Sequence, residues 1–224
     1  MEKVVLILSG GMDSATLLGK LLAEENKEIY CLTFNYGQRH KKEIDCAVRL
    51  LEHYRATQKG KILLKEHEII TIPTFGGNAL TDDIEVPEGH YASENMKQTV
   101  VPNRNMIMLS IAAGYAESIN AEKVYYGAHG GDHFIYWDCR PSFLEDMNMI
   151  LENNDKTVQI VAPFMYLDKG DIASIGCCIG VPYEYTWTCY KGGELACGKC
   201  GSCVERLEAF IKAAEEDPIE YEGE

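Results

Sequence analysis

The chain has 224 residues, 46% hydrophobic and 25% charged, the balance of an ordinary soluble globular protein long enough to bury one large core. Its formal net charge of −14 speaks against a nucleic-acid partner, which would lean on clustered Lys and Arg, and favours a small planar or charged metabolite. No apolar run approaches the ~20 residues of a membrane helix, and the start Met1-Glu2-Lys3 leaves no room for a signal peptide before the first strand, so a cytoplasmic protein without a membrane partner is expected.

Residues 4–8 are a short continuous apolar run, as in a strand buried on both faces of a parallel sheet. Ser9, Gly10 and Gly11 make a tight small-residue turn, and Leu17, Leu18, Leu21 and Leu22 then recur at helical spacing. A strand, a glycine turn and a helix N-terminus together favour an anion, because free backbone N–H groups and the helix dipole converge there. Gly10 and Gly11 let the backbone approach a phosphate, Ser9 and Ser14 offer hydroxyls, and Asp13 suits a metal-bound phosphate. No Lys follows as in a Walker loop.

A second strand is expected over 29–34, followed by the unusual Tyr36-Gly37-Gln38-Arg39-His40, whose Arg39 and His40 suit either a site or a solvated loop. A helix over 41–54 turns Ile44, Ala47, Val48 and Leu51 inward, and a third strand covers 67–72. Residues 73–102 show little periodicity and contain Pro73, Pro87 and Pro102, the pattern of a lid or mobile segment. Val101-Pro102-Asn103-Arg104-Asn105 leads into a helix over 105–119 that is apolar nearly all round and so expected to be buried. A strand over 123–126, a loop over 127–140 carrying Asp132, Asp138, Cys139 and Arg140, a helix over 141–151 and a last strand over 158–162 follow. Residues 167–172, including Lys169, open a late helix. This alternation implies an α/β fold with a doubly wound parallel sheet and ligands at the carboxyl ends of its strands. Arg104 and Arg140 are the better anion candidates, since a planar guanidinium matches carboxylates and phosphates.

Cys189, Cys197, Cys200 and Cys203 stand in the spacing C-x7-C-x2-C-x2-C among glycines. Four soft ligands fill a tetrahedral Zn²⁺ shell and leave no open position, so the metal is expected to be structural, one per chain. An iron–sulfur cluster uses the same ligands, but nothing else in the chain suggests redox chemistry. Cys31 and Cys46 read as small buried hydrophobes. The expected organisation is an α/β domain over 1–185 and a zinc-binding module with a C-terminal helix over 186–224, packed on the same domain.

Ser9-Gly10-Gly11-Met12-Asp13-Ser14 resembles the pyrophosphate loop of N-type ATP pyrophosphatases, which split ATP between the α and β phosphates and leave AMP on a carbonyl oxygen. Joined to 36–40, 101–105, 136–140, 167–172, Thr186-Trp187-Thr188-Cys189-Tyr190 and Cys197-Gly198-Lys199-Cys200, the chain up to about Arg206 resembles the 7-cyano-7-deazaguanine synthase family. One departure is Tyr136-Trp137-Asp138 where Tyr-Pro-Asp is expected, preceded by His129-Gly130-Gly131-Asp132-His133. The resemblance implies an adenine-nucleotide α-hydrolase-like fold, a homodimer, and conversion of 7-carboxy-7-deazaguanine and ammonia to the nitrile through adenylated acid and amide, with ATP and Mg²⁺. It implies that Leu8, Ser9, Gly10, Gly11, Met12, Asp13 and Ser14 hold ATP and that Asp13, Ser14, Arg104 and Lys169 are catalytic. Gln38, Arg39, Arg104, Asp132, Asp138 and Arg140 are the substrate candidates, with Asp138 accepting from the purine-like N–H edge and Tyr36, Tyr136 and Trp137 stacking on the ring. Two other readings stand beside it. One is a ligase that stops at the amide or couples the adenylated acid to an amine on a protein acceptor. The other is a non-catalytic nucleotide-binding or sulfur-carrier module, against which metal-bound thiolates speak.

Overall fold

In the computed structural model, which describes residues 1–73, 76–153 and 158–223, strand β1 (Glu2–Ile7) runs through the centre of the molecule. Val4, Val5, Leu6 and Leu8 are fully buried because helices cover both faces of the sheet. The elements follow as α1 (Met12–Ala23), β2 (Lys27–Asn35), α2 (Lys42–Ala56), α3 (Gln58–Leu63), β3 (Leu64–Thr71), α4 (Arg104–Ile119), β4 (Lys123–Tyr125), α5 (Pro141–Glu152), β5 (Gln159–Val161), α6 (Lys169–Cys178) and α7 (Gly201–Ala213). The five strands are all parallel in the order β3-β2-β1-β4-β5, the expected doubly wound sheet. Side chains from α1, α2, α6 and α7 build the core on one face, and those from α4 and α5 build it on the other. Chain order reverses between β1 and β4, so a crevice opens at their carboxyl ends. Among the described residues no helix is long and apolar enough to cross a membrane.

Three expectations change in detail. Residues 58–63, which carry no apolar period, form α3, started by the Thr57 hydroxyl accepting the Gly60 N–H at 3.0 Å, and β3 begins at Leu64 rather than 67. Helix α4 is not buried all round. A single layer of helices lies on each sheet face, so Met108, Leu109, Ala112, Ala113 and Ala116 enter the core while Ser110, Gly114 and Ser118 are exposed. The segment over 73–102, apart from positions 74 and 75 outside the described residues, packs as a strap. Ala79, Leu80, Val86 and Met96 are buried, Gly89 N–H donates to the Lys199 carbonyl at 2.9 Å, and the Thr99 and Tyr136 hydroxyls lie 2.6 Å apart.

The C-terminal part is joined to this frame by α7 packing along α6, and its fully buried Arg206 reaches the Tyr183 carbonyl at 3.4 Å. Its guanidinium donates to the Asp217 carboxylate at 2.7 and 2.9 Å and to the Thr186 hydroxyl at 2.7 Å. A guanidinium enters a protein interior only when its donors are matched in this way.

Candidate active site

The turn after β1 is held open by its own side chains. Ser9 Oγ accepts the Gly11 N–H at 3.1 Å, and Ser14 Oγ accepts the Ser9 N–H at 3.2 Å while donating to the Gly11 carbonyl at 3.1 Å. Gly11 is the N-cap of α1 and supplies no side-chain cap, so the first amides of the helix face the cleft without an intrahelical acceptor. Gly10 sits at φ +94°, with the Glu43 carbonyl where a Cβ would be, so no other residue fits there. Its own carbonyl accepts the Trp187 N–H at 3.0 Å. Ser9, Gly11, Met12, Asp13 and Ser14 line the cleft, while Leu8 belongs to the core behind them.

Across from the turn stands a knot of charge. Lys169 Nζ, at the start of α6, lies 2.5 Å from Glu205 Oε2 and 3.5 Å from Asp13 Oδ2. Burial works against its charge, but the carboxylates of Asp13, Glu205 and Asp132 outweigh it and hold the ammonium above its usual range. Burial pushes the Glu205 carboxyl up against the pull of Lys169. His129, 1% exposed, points Nε2 at Asp132 Oδ2 (3.4 Å) and Asp13 Oδ2 (3.8 Å). Candidate ligand atoms of His129, Asp132 and Glu205 lie within 4.8 Å of one another, a spacing that would suit a metal ion. The tautomer argues otherwise. His129 Nδ1 accepts the Gly131 N–H at 3.2 Å, so the neutral ring carries its proton on Nε2 and offers the cluster a donor instead of a lone pair.

The other wall is aromatic and basic. Arg104, at the first turn of α4, donates to the Tyr36 hydroxyl at 3.3 Å, and Tyr36, Tyr136 and Tyr190 line the cleft with it. Glu43, on α2, accepts from Gln38 Nε2 at 3.0 Å; burial pushes its carboxyl up to about 7, against the opposing effects of Gln38 and Arg104. Burial, with Arg104 adding to it, pushes His40 down to about 3, so its 3.5 Å approach to Glu43 is not an ion pair near neutral pH.

Four of the sequence-derived substrate candidates stand behind this wall. Gln38 is fully buried, and its carbonyl oxygen accepts the Tyr36 N–H at 2.9 Å. Arg39 is exposed and donates to the Ile84 carbonyl at 2.7 Å. Asp138 Oδ2 accepts the Asn105 N–H at 3.0 Å, fixing the start of α4. Arg140 is exposed and donates to the His133 carbonyl at 2.8 Å. Trp137, 43% exposed, meets Phe143 edge-on and is not part of the cleft wall. Arg104, Asp132 and Lys169 do line the cleft, beside Glu43, Tyr190 and Glu205, which the sequence reading did not select. Glu205 falls two residues after Cys203 on the inward face of an amphipathic helix, and an acid at such a position was the available signal.

The four cysteine sulfurs also gather. Cys200 and Cys203 Sγ are 3.5 Å apart and Cys197 and Cys203 Sγ 3.9 Å, close to the roughly 3.8 Å edge of a tetrahedron with Zn–S bonds near 2.3 Å. Backbone N–H groups of Cys197, Lys199 and Cys200 point at sulfur, at 3.3 to 3.4 Å, as suits thiolates rather than thiols. The group can hold a metal ion. The module's Trp187 indole donates to the Cys189 carbonyl at 3.0 Å, and Lys42 Nζ lies 3.9 Å from the centre of its ring.

Comparison with known proteins agrees with this arrangement. The chain is 54% identical over 227 residues to the 7-cyano-7-deazaguanine synthase of Hahella chejuensis, covering 99% of this chain and 94% of that one. It is also 54% identical over 223 residues to the 7-cyano-7-deazaguanine synthase of Pseudoalteromonas atlantica, covering 99% of both. Among solved structures, the U34-tRNA thiolase NcsA from Methanococcus maripaludis, with its [4Fe-4S] cluster, shares the fold. The TM-score is 0.51 at 17% identity, over 93% of this chain and 63% of that one. Residues 3–214 match the family model described as queuosine biosynthesis protein QueC, and the chain belongs to that family.

Proposed function

We propose that this chain converts 7-carboxy-7-deazaguanine and ammonia to 7-cyano-7-deazaguanine, a step of queuosine biosynthesis, as an ATP-dependent ligase producing AMP and pyrophosphate. The observation that carries the reading is 54% identity over nearly the whole length to proteins of that name, supported by a cleft lined by Ser9, Gly11, Asp13 and Ser14 together with Lys169 and Arg104. A carboxylate is a poor electrophile; AMP on its oxygen makes a leaving group, and ammonia displaces it to give the amide. A second adenylation, now of the amide oxygen, lets AMP leave as the nitrile forms. The protein's share is alignment and charge neutralisation. The turn amides, Ser9 and Ser14 hold the phosphates, Lys169 meets the leaving pyrophosphate, and Asp13 is the carboxylate suited to the Mg²⁺ that accompanies ATP. Arg104 neutralises the substrate carboxylate or the adenylate, with Tyr36, Tyr136 and Tyr190 beside the ring. Gln38, Arg39, Asp138 and Arg140 support the wall from behind.

Zinc, one per chain on Cys189, Cys197, Cys200 and Cys203, supplies folding stability and no chemistry. The division into a catalytic domain over 1–185 and a zinc module over 186–224, a homodimeric state and a cytoplasmic location complete the proposal.

Incubation with ATP, Mg²⁺, ammonium and the acid, followed by mass spectrometry, is expected to give the nitrile with AMP and pyrophosphate. ADP as the nucleotide product would exclude the reading. Supplied with the amide instead, the protein is expected to use one ATP and release the nitrile. An inert amide, with one ATP spent per acid, would point to the ligase that stops at the amide or acylates a protein amine.

A further inference from the structure

We propose that Asp132 and Glu205 form a binding site for the ammonium ion, in a side pocket that opens off the main cleft. The proposal rests on the reading above, in which ammonia is a reactant. It holds equally for nitrile synthase and for amide-forming ligase, since both make their first C–N bond with ammonia.

Asp132, Tyr136, Tyr190, Ser202 and Glu205 line both the cleft and this second, smaller cavity, so the two share a wall. The side pocket has a cavity volume of about 20 Å³, room for one molecule the size of water or ammonia. ATP and the acid are too large for it. They are also anions, and the Asp132 and Glu205 carboxylates that line the side pocket disfavour them there, whereas Asp13 and Lys169 line the main cleft alone. Ammonium is the cationic reactant, and it brings four donors to a wall rich in acceptors and tyrosine faces.

His129 makes the site specific for such an ion. The ring is 1% exposed and its Nε2 is buried without a hydrogen-bond partner, aimed at Asp132 Oδ2 from 3.4 Å. Because Nδ1 accepts the Gly131 N–H, Nε2 carries the proton of the neutral ring and turns an N–H, not a lone pair, toward the Asp132 carboxylate. A metal ion held by all three residues would need the Nε2 lone pair, and Lys169 already holds Glu205 Oε2. A monovalent ion that binds through its own N–H groups needs neither. Gly131 keeps this wall close, since a Cβ there would lie 2.9 Å from Glu205 Oε1 and 3.0 Å from the His129 ring and one of them would have to shift.

The two half-reactions separate this role from any other, because acid to amide consumes ammonium and amide to nitrile does not. Asp132→Asn is expected to raise the KM for ammonium about tenfold, the loss of one charge-assisted contact, while slowing the amide-to-nitrile step far less. Ile135→Trp, which fills the side pocket from a residue outside the carboxylate cluster, is expected to raise the same KM and leave that for ATP within about twofold. Crystals soaked in Rb⁺, a probe of similar size and charge, are expected to show an anomalous peak between Asp132 and Glu205 that Asp132→Asn abolishes. The proposal is overturned by an unmoved KM for ammonium in both variants or by equal loss of both half-reactions. It is likewise overturned by the absence of the Rb⁺ peak, or by Mn²⁺ bound there through His129. A wild-type protein that forms the amide from acid and ammonium but leaves the amide inert would revise the product and leave this site standing, and the Rb⁺ result decides it even where no turnover is seen.

Discussion

Glu43 shows how burial at a single residue becomes a dependence on pH. Its carboxyl is pushed from the ordinary 4.5 up to about 7 by burial, so the folded chain binds that proton more tightly than the unfolded chain does. Stability is therefore lost as pH rises from about 4.5 to about 7, by on the order of 3 kcal/mol, and is flat above. Glu43→Gln keeps an acceptor for Gln38 and removes the titration. Its melting temperature is expected to exceed that of the wild type by more at pH 8 than at pH 5; an offset that is equal at both, or larger at pH 5, would show that the acid is ionised throughout. The same residue marks where the sequence was hard to read. Asp138 is the purine partner the sequence suggests because it sits in a motif beside Cys139 and Arg140; in the fold it is buried outside the cleft lining, with Oδ2 accepting the Asn105 N–H. Glu43 is one acid among several in an amphipathic helix, and no spacing distinguishes the acid that faces a cleft from those that face water. Asp13, Arg104 and Lys169 do line the cleft, and each stands at a helix start that follows a strand or loop, a position that local pattern reveals.

At the scale of elements, the β1–turn–α1 unit was legible in full because each of its parts follows a local rule: an apolar run, small residues, then a helical period. Helix α3 was not, because its six residues offer no period and depend on Thr57 for their start. Helix α4 was legible as a helix but not in its burial, since composition does not reveal how many layers cover a sheet. Two glycines provide a matched test of these rules. Gly10→Ala forces a side chain onto a left-handed backbone at φ +94° and into the Glu43 carbonyl. It is expected to destabilise by on the order of 3 kcal/mol and to abolish ATP-dependent turnover. Gly114→Ala adds a methyl in the exposed middle of α4 with nothing within 4 Å, and should stabilise by up to about 1 kcal/mol. Urea unfolding of both variants measures the contrast, and a harmless Gly10→Ala would mean that the loop does not need this geometry.

For the molecule as a whole, the question is whether the cysteine module can be separated from the nucleotide site. Its spacing was plain in the sequence; its attachment was not, because Arg206, Trp187 and the strap reach across long stretches of chain. Trp187 donates its backbone N–H to the Gly10 carbonyl in the turn after β1 and its indole N–H to the Cys189 carbonyl among the four cysteines, so one residue spans both regions. Arg206, between them, binds Asp217 and Thr186 with no exposure to water. Structural zinc in small modules contributes on the order of 10 kcal/mol to folding, and here that contribution would be transmitted to the turn proposed to hold ATP. The purified protein is therefore expected to carry about one zinc per chain. Cys200→Ser, or removal of the metal by a chelator, should lower the melting temperature in a single transition and weaken ATP binding alongside it. Calorimetry with ATP titration on the same samples checks this. Two transitions, with ATP affinity kept after the first, would show an independent module, and iron in place of zinc would assign the four thiols to another metal centre. A single transition is the outcome that Trp187 and α7 favour, since opening the module alone would break the Trp187 N–H bond to Gly10 and strip the buried face of α7 from α6.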